Sequence, residues 1–270
     1  MLFIRISQDM TVWFQRWFES GERSVTVPLF EGETYEIEVY GKGGELLKRE
    51  EILARREGIF LTLPKGKIET KILSKEDIVK FIKELITKKF DDELKEQLTL
   101  IKSMYPDSKL NEKQIRGGRL EHLIWLYLQK LRIENIIDAA IWSGKVGDYG
   151  LAYPSSGNPD ILVYIDNIVI VLEVTIIPDI RMQWSAEGAS VPDHVKTFAL
   201  QNHEKKVIGL FVAPSIHHQL KKNLDAQAKI DRLPILSITM EEFLFFLSMP
   251  SRTEFKDRLI KMVQEQLLSF

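Results

Sequence analysis

Hydrophobic and polar positions change period along the chain, and the changes mark out its elements. From Thr34 to Tyr40, Tyr35, Ile37 and Val39 alternate with Thr34, Glu36 and Glu38, the two-residue period of a strand buried on one face. Arg23 to Phe30 and Gly58 to Leu63 read the same way, and turns at Glu31-Gly32, Gly43-Gly44 and Lys65-Gly66 separate the three. The pattern predicts a β-rich unit over residues 1–73, in which the rings of Trp13-Phe14-Gln15-Arg16-Trp17-Phe18 serve as core or interface anchors rather than base-stacking groups. Ser74 is a good N-cap, and Lys75 to Lys88 and Asp91 to Met104 then take helical spacing, a bridge over 74–110. From 111 to 270 the order becomes helix, paired strands, helix, strand Val207–Ala213, helix, strand Leu233–Ile238, and helices to Phe270. Such alternation predicts an α/β layer, a mixed sheet flanked by helices.

Within that layer, Ile161–Ile165 and Ile168–Leu172 are short, β-branched runs joined by Asp166-Asn167, residues suited to a tight turn. They predict a β-hairpin. Asp160 stands at its entrance, after Asn158-Pro159, and Glu173 at its exit, before Val174-Thr175, so antiparallel pairing returns both carboxylates to one end of the ribbon. Oxygen ligands gathered in this way suit Mg²⁺, which takes one or two carboxylates and fills its octahedron with water and phosphate oxygens. The alternative is a solvated Asp beside a turn and a Glu at a strand end. Against that alternative, Ile168–Ile177 is apolar enough to be a buried strand, where an unpartnered carboxylate is costly.

Two further acids flank the hairpin. Glu121 falls in the first turn of the apolar helical run that begins at Leu123, where it either serves the site or complements the helix dipole. Glu187 precedes the helical stretch Pro192–Leu200, either as a site residue or as a helix-start residue.

Composition narrows the partners. The 270 residues are 44% hydrophobic and 28% charged with a formal net charge of -2, so any surface for nucleic acid must be local. Without cysteine there is neither a disulfide nor a thiolate zinc site, and the five histidines lack zinc spacing. No run spans a bilayer and Met1-Leu2-Phe3-Ile4-Arg5 lacks a signal pattern, so a cytoplasmic protein with no membrane contact is expected. Internal repeats, a phosphate-binding glycine loop and a nucleophile elbow are all missing from the sequence.

Five segments together resemble the AlwI-like type IIS restriction and nicking endonucleases of the PD-(D/E)XK nuclease superfamily. They are Arg116-Gly117 through Glu121 to Trp125; Gly157-Asn158-Pro159-Asp160; Val171-Leu172-Glu173-Val174-Thr175; Ala186-Glu187-Gly188 with Val191-Pro192 and His194; and the strand from Val207 to Pro214. The resemblance implies a restriction-endonuclease-like fold whose metal-site acids fall on Glu121, Asp160, Glu173 and Glu187, with a further functional position at His194. The common superfamily pattern has a lysine two residues after the second acid. Here Thr175 stands there, as it does in the AlwI-like branch, which leaves Gln183, Glu187 and Lys196 as nearby groups to activate water.

The expected function is therefore Mg²⁺-dependent, sequence-specific hydrolysis of double-stranded DNA, with Mn²⁺ as a substitute ion. Asp160, Glu173 and the Val174 carbonyl hold the metal, and Glu121 and Glu187 complete it or position the attacking water. Expected DNA contacts are Arg55, Arg56, Arg116, Arg119 and Lys196, and sequence recognition is assigned largely to residues before Asn111. Glu45, Glu50, Glu51 and Glu57 interleave with the bases there, however, and a neutral, salt-bridged surface is the opposing reading. A homodimer or a heterodimeric partner subunit is the expected assembly. The competing readings are a non-catalytic DNA-binding subunit on the same fold, with Thr175 as its symptom, and a repair or junction-resolving nuclease.

Overall fold

The N-terminal alternation builds a four-stranded antiparallel sheet from β1 (Leu2–Gln8), β2 (Thr11–Phe18), β3 (Thr34–Tyr40) and β4 (Leu46–Leu53), in the order β2-β1-β3-β4. As its period requires, β3 buries Tyr35, Ile37 and Val39 and turns Glu36 and Glu38 outward. The aromatic segment is itself β2. It escapes the alternation rule because Trp13, Phe14 and Phe18 are all buried, on both pleat faces, and because β1 slips register between Ile6 and Ser7. A small ribbon of β5 (Phe60–Leu63) and β6 (Gly66–Glu69) follows.

The computed structural model describes residues 2–9, 11–18, 29–55, 60–63, 66–69, 74–87, 95, 98–99, 102, 111–147, 152–154, 157–177 and 180–268. The strand expected over Arg23–Phe30 lies outside these except for its last two residues, and so do Arg56 and most of the helix expected over Asp91–Met104.

Helix α1 (Lys75–Thr87) opens at Ser74, whose hydroxyl accepts from the Asp77 amide at 3.1 Å. Helix α2 (Glu112–Ile133) starts in a capping box of Asn111 and Gln114. Its middle is apolar on every side, and Leu120, Ile124, Trp125, Leu126, Tyr127, Leu128 and Leu131 are all buried, the signature of a helix enclosed by other layers. One of those layers is the N-terminal sheet, since the Trp13 ring lies 5.2 Å from that of Trp125.

The second sheet comprises β7 (Ala139–Trp142), β10 (Ile161–Ile165), β11 (Ile168–Val174), β12 (Lys206–Ala213) and β13 (Ile235–Thr239), in the order β13-β12-β11-β10-β7. Strands β11, β12 and β13 are parallel, while β10 runs antiparallel to both β11 and β7, so the sheet is mixed as expected. A short ribbon, β8 (Lys145–Val146) and β9 (Ala152–Tyr153), leads out of β7. Helices α3 (Ile180–Glu187) and α4 (Ser190–Gln201) connect β11 to β12, α5 (His218–Asp231) connects β12 to β13, and α6 (Met240–Leu247) and α7 (Arg252–Leu268) end the fold. The segment around Glu187, expected only as the approach to a helix, is thus the end of a helix of its own.

Alternation along β11 divides the core. Ile168, Ile170, Leu172 and Val174 join the larger buried cluster, shared with α2 and the N-terminal sheet, whereas Val171 joins Val191, Val195 and Phe211 beneath α4 and α5. Among the described residues no helix is long and apolar enough to cross a membrane.

Candidate active site

The expected hairpin forms with the expected register. Ile161 pairs with Leu172 and Ile165 with Ile168, around Asp166 in a left-handed conformation (φ 53°). Just outside the first pair, Asp160 precedes β10 and Glu173 lies in β11, at the same end of the hairpin. The Asp160 Oδ2 accepts from the Val174 amide at 2.8 Å, while its carbonyl accepts from the Ser143 amide at 2.9 Å, which ties the residue to β11 on one side and to the end of β7 on the other.

Glu173 shares the face of Val171, and its Oε1 meets Nδ1 of His194 on α4 at 2.7 Å. At 5% exposure it is a carboxyl inside the sheet. Burial, then the neighbouring Glu187 and Glu121, push it up to about 9. Glu121 itself is buried on α2, across the sheet end from α4, with its Oε2 accepting from the Trp142 indole N–H at 3.0 Å. Glu187 closes α3. Burial raises its carboxyl as well, against the opposing pull of hydrogen bonds from the Thr175 and Ser190 hydroxyls and of nearby His194. Four acids from α2, the start of β10, β11 and α3 therefore gather at one end of the mixed sheet, where Glu187 and Glu121 lie close enough to Glu173 to raise its cost of ionisation. Among the described residues, no three His, Asp or Glu side chains already converge on one point as a closed ligand set, for Asp160 is turned to the Val174 amide and Glu173 to His194.

Thr175, where the superfamily has lysine, is buried two residues past Glu173, on the same strand face. Its amide continues the parallel ladder by donating to the Val212 carbonyl at 3.0 Å, which leaves its hydroxyl to hold Glu187. The other expected water-activating groups are engaged elsewhere. The Gln183 amide nitrogen donates to the carbonyls of Ile177 (2.6 Å) and Ser215 (2.8 Å), a strut between the loops after β11 and β12. Lys196 pairs with Asp231 of α5 at 2.8 Å.

The expected DNA contacts are dispersed. Arg116 donates to the Leu85 carbonyl at 2.8 Å and so locks α2 to α1. Arg119, half-buried, lies close enough to His122 to add to burial in holding that imidazole down, to about 3. Arg55 is exposed just past β4. The β4 bases face acids of the same sheet, Lys48 with Glu50 and Arg49 with Glu36 and Glu38, in the manner of the salt-bridged surface.

Trp142 and Ser190 were not legible as site residues. Trp142 lies twenty-one positions from Glu121 in a short strand whose sequence carries no chemical motif.

A model of the AlwI restriction endonuclease family matches residues 60–245. Among solved structures, the chain is similar to the small subunit (R.BspD6I2) of the heterodimeric restriction endonuclease R.BspD6I. The TM-score is 0.51 at 18% identity, over 72% of this chain and 96% of that one. It is also matched to restriction endonuclease FokI, with a TM-score of 0.39 at 15% identity, over 74% of this chain and 38% of that one. No curated protein matches significantly.

Proposed function

The chain belongs to the AlwI restriction endonuclease family, and from that premise we propose that it is a Mg²⁺-dependent, sequence-specific DNA endonuclease. The observation that carries the reading is Glu173, a buried carboxyl with Glu187 and Glu121 as charged neighbours, at the end of a hairpin where Asp160 bonds the next residue's amide. Burying such a group costs several kcal/mol unless a cation offsets it. The donor set is all oxygen and acidic, which fits a hard divalent ion better than a soft one. Asp160, Glu173 and the Val174 carbonyl would hold it, with Glu121 alongside, and Mn²⁺ would substitute.

The ion, when bound, supplies positive charge to the phosphate and lowers the pKa of water. The protein's own groups do the rest. Glu187, steadied by Thr175 and Ser190, orients the attacking water and takes its proton on a carboxylate oxygen, a role that its raised proton affinity suits. His194 fixes the rotamer of Glu173 through the 2.7 Å contact. Glu121, held by Trp142, keeps its charge directed at the sheet end. No covalent intermediate is needed. Sequence recognition we assign to the N-terminal region, where Arg55 and Arg56 reach duplex DNA.

The test is plasmid digestion with Mg²⁺ by the wild type and by Asp160→Ala and Glu173→Ala. Discrete fragments from the wild type, with cutting abolished and DNA binding kept in both variants, support the reading. Near-normal cutting by either variant overturns the site, and random degradation points instead to a repair-type nuclease. The likeness to the small subunit of a heterodimeric enzyme favours a second form, in which this chain cuts one strand beside a partner subunit. Accumulation of nicked circles without linear product is its signature. Tight binding with no cutting under any divalent ion would identify a non-catalytic subunit.

A further inference from the structure

Two adjacent glycines lie within α2, and the described residues account for one of them. A Cβ on Gly118 would fall 2.5 Å from the Ala152 carbonyl oxygen and 2.9 Å from the Pro154 nitrogen, so α2 needs glycine there to pass β9. A Cβ on Gly117 would meet no atom of the described residues within 4 Å, and Gly117 is not among the residues with positive φ. Glycine is the poorest helix former after proline. Nothing among the described residues therefore calls for it at 117.

Its position relative to the site does. Lys113, Gly117 and Glu121 follow one another at four-residue spacing and so lie on one slowly turning strip of α2. The strip starts beside α3, where Lys113 Nζ touches the Met182 sulphur at 3.9 Å, and ends at the buried Glu121. No acid among the described residues pairs with Lys113, whereas its neighbour Glu112 faces Arg116. We propose that this strip is a seat for the sugar–phosphate backbone of DNA: Gly117 lets the strand lie directly against the helix, and Lys113 takes a phosphate. From the helical rise, Lys113 stands about 12 Å along the axis from Glu121, so its phosphate is not the one being cut. The seat rests on the nuclease reading above and adds to it the path of the strand.

The experiment is binding of a short mixed-sequence DNA duplex across a salt series by the full chain and by Gly117→Ala, Gly117→Gln and Lys113→Gln, with thermal melting of each. A backbone seat is blind to sequence, so no recognition site is required. Both Gly117 variants should melt at or above the wild type, by about 2 °C. Affinity should nevertheless fall with side-chain size, roughly tenfold or more for glutamine, because a misplaced strand loses several contacts together. Lys113→Gln should weaken binding and lower the salt slope by about one. If the wild type binds and the Gly117 variants bind as tightly, or weaken only as their melting falls, the seat is wrong while the nuclease reading stands. If the wild type binds no duplex at all, the DNA reading itself fails and the seat with it.

Discussion

The indole N–H of Trp142 points at the Glu121 carboxylate from 3.0 Å, joining the last residue of β7 to an acid on α2. Trp142→Phe keeps an aromatic ring beside His122 and removes the donor together with part of the indole's volume. A hydrogen bond to a charged group is worth about 1.5–3 kcal/mol. The expected result is a cleavage rate about tenfold to a hundredfold lower with DNA affinity unchanged. Single-turnover digestion measures it, and an unchanged rate would make Trp142 a packing residue only.

Glu173 gives the ion-free protein an unusual pH dependence. Its carboxyl is raised from 4.5 to about 9 in the folded chain, so between those values the folded state holds a proton that the unfolded chain releases. The contribution to stability is greatest below pH 4.5 and declines as pH rises through that window. Urea unfolding in chelator should show the wild type losing stability from acid towards alkaline pH, and Glu173→Gln losing less. A divalent ion that binds only the folded state should restore the wild type at the alkaline end. Parallel pH slopes for the two proteins would contradict the assignment.

Thr175→Val removes a hydroxyl from beside Glu187 at nearly constant volume. That hydroxyl works to lower the Glu187 carboxyl against burial, so without it the carboxyl rises further. Cutting should slow, and the acid limb of the pH–rate profile should move to higher pH. A slower rate with an unmoved limb would mean that Thr175 shapes the strand end without tuning Glu187.

Gly118→Ala tests the close passage of α2 over β9. Its methyl would press on backbone atoms of Ala152 and Pro154, which cannot swing aside as a side chain can. Overpacking of this kind costs about 1–3 kcal/mol, a fall of several degrees in melting temperature for a chain of this size. Melting at the wild-type temperature would show that the two elements separate freely.

The hairpin was legible to the residue because β-branched runs, a two-residue turn and flanking acids all agree on one register. The mixed sheet followed from the alternation of strand and helix patterns. Strands β1 and β2 were not legible, since aromatics on both pleat faces hide a two-residue period and a bulge shifts it. At the site, Asp160 and Glu173 could be paired from sequence because local chain geometry joins them. The Trp142–Glu121 and His194–Glu173 contacts bridge about twenty positions through helix packing that no local pattern encodes. Arg116 and Lys196 were read from their charge as DNA contacts, and the partner that tertiary packing gives each within the protein was equally hidden from any local pattern.

Four rings form a continuous column: Trp13 of β2 against Trp125 of α2, then His122, then Trp142 of β7, each neighbour within 6 Å. Burial keeps the imidazole in its middle uncharged, so the column has no charged joint at neutral pH. Its upper end is rooted in the N-terminal sheet and its lower end holds Glu121. Anyone replacing the N-terminal sheet with another unit would therefore have to graft around Trp13, because cutting the sheet away removes the footing of an acid three rings distant.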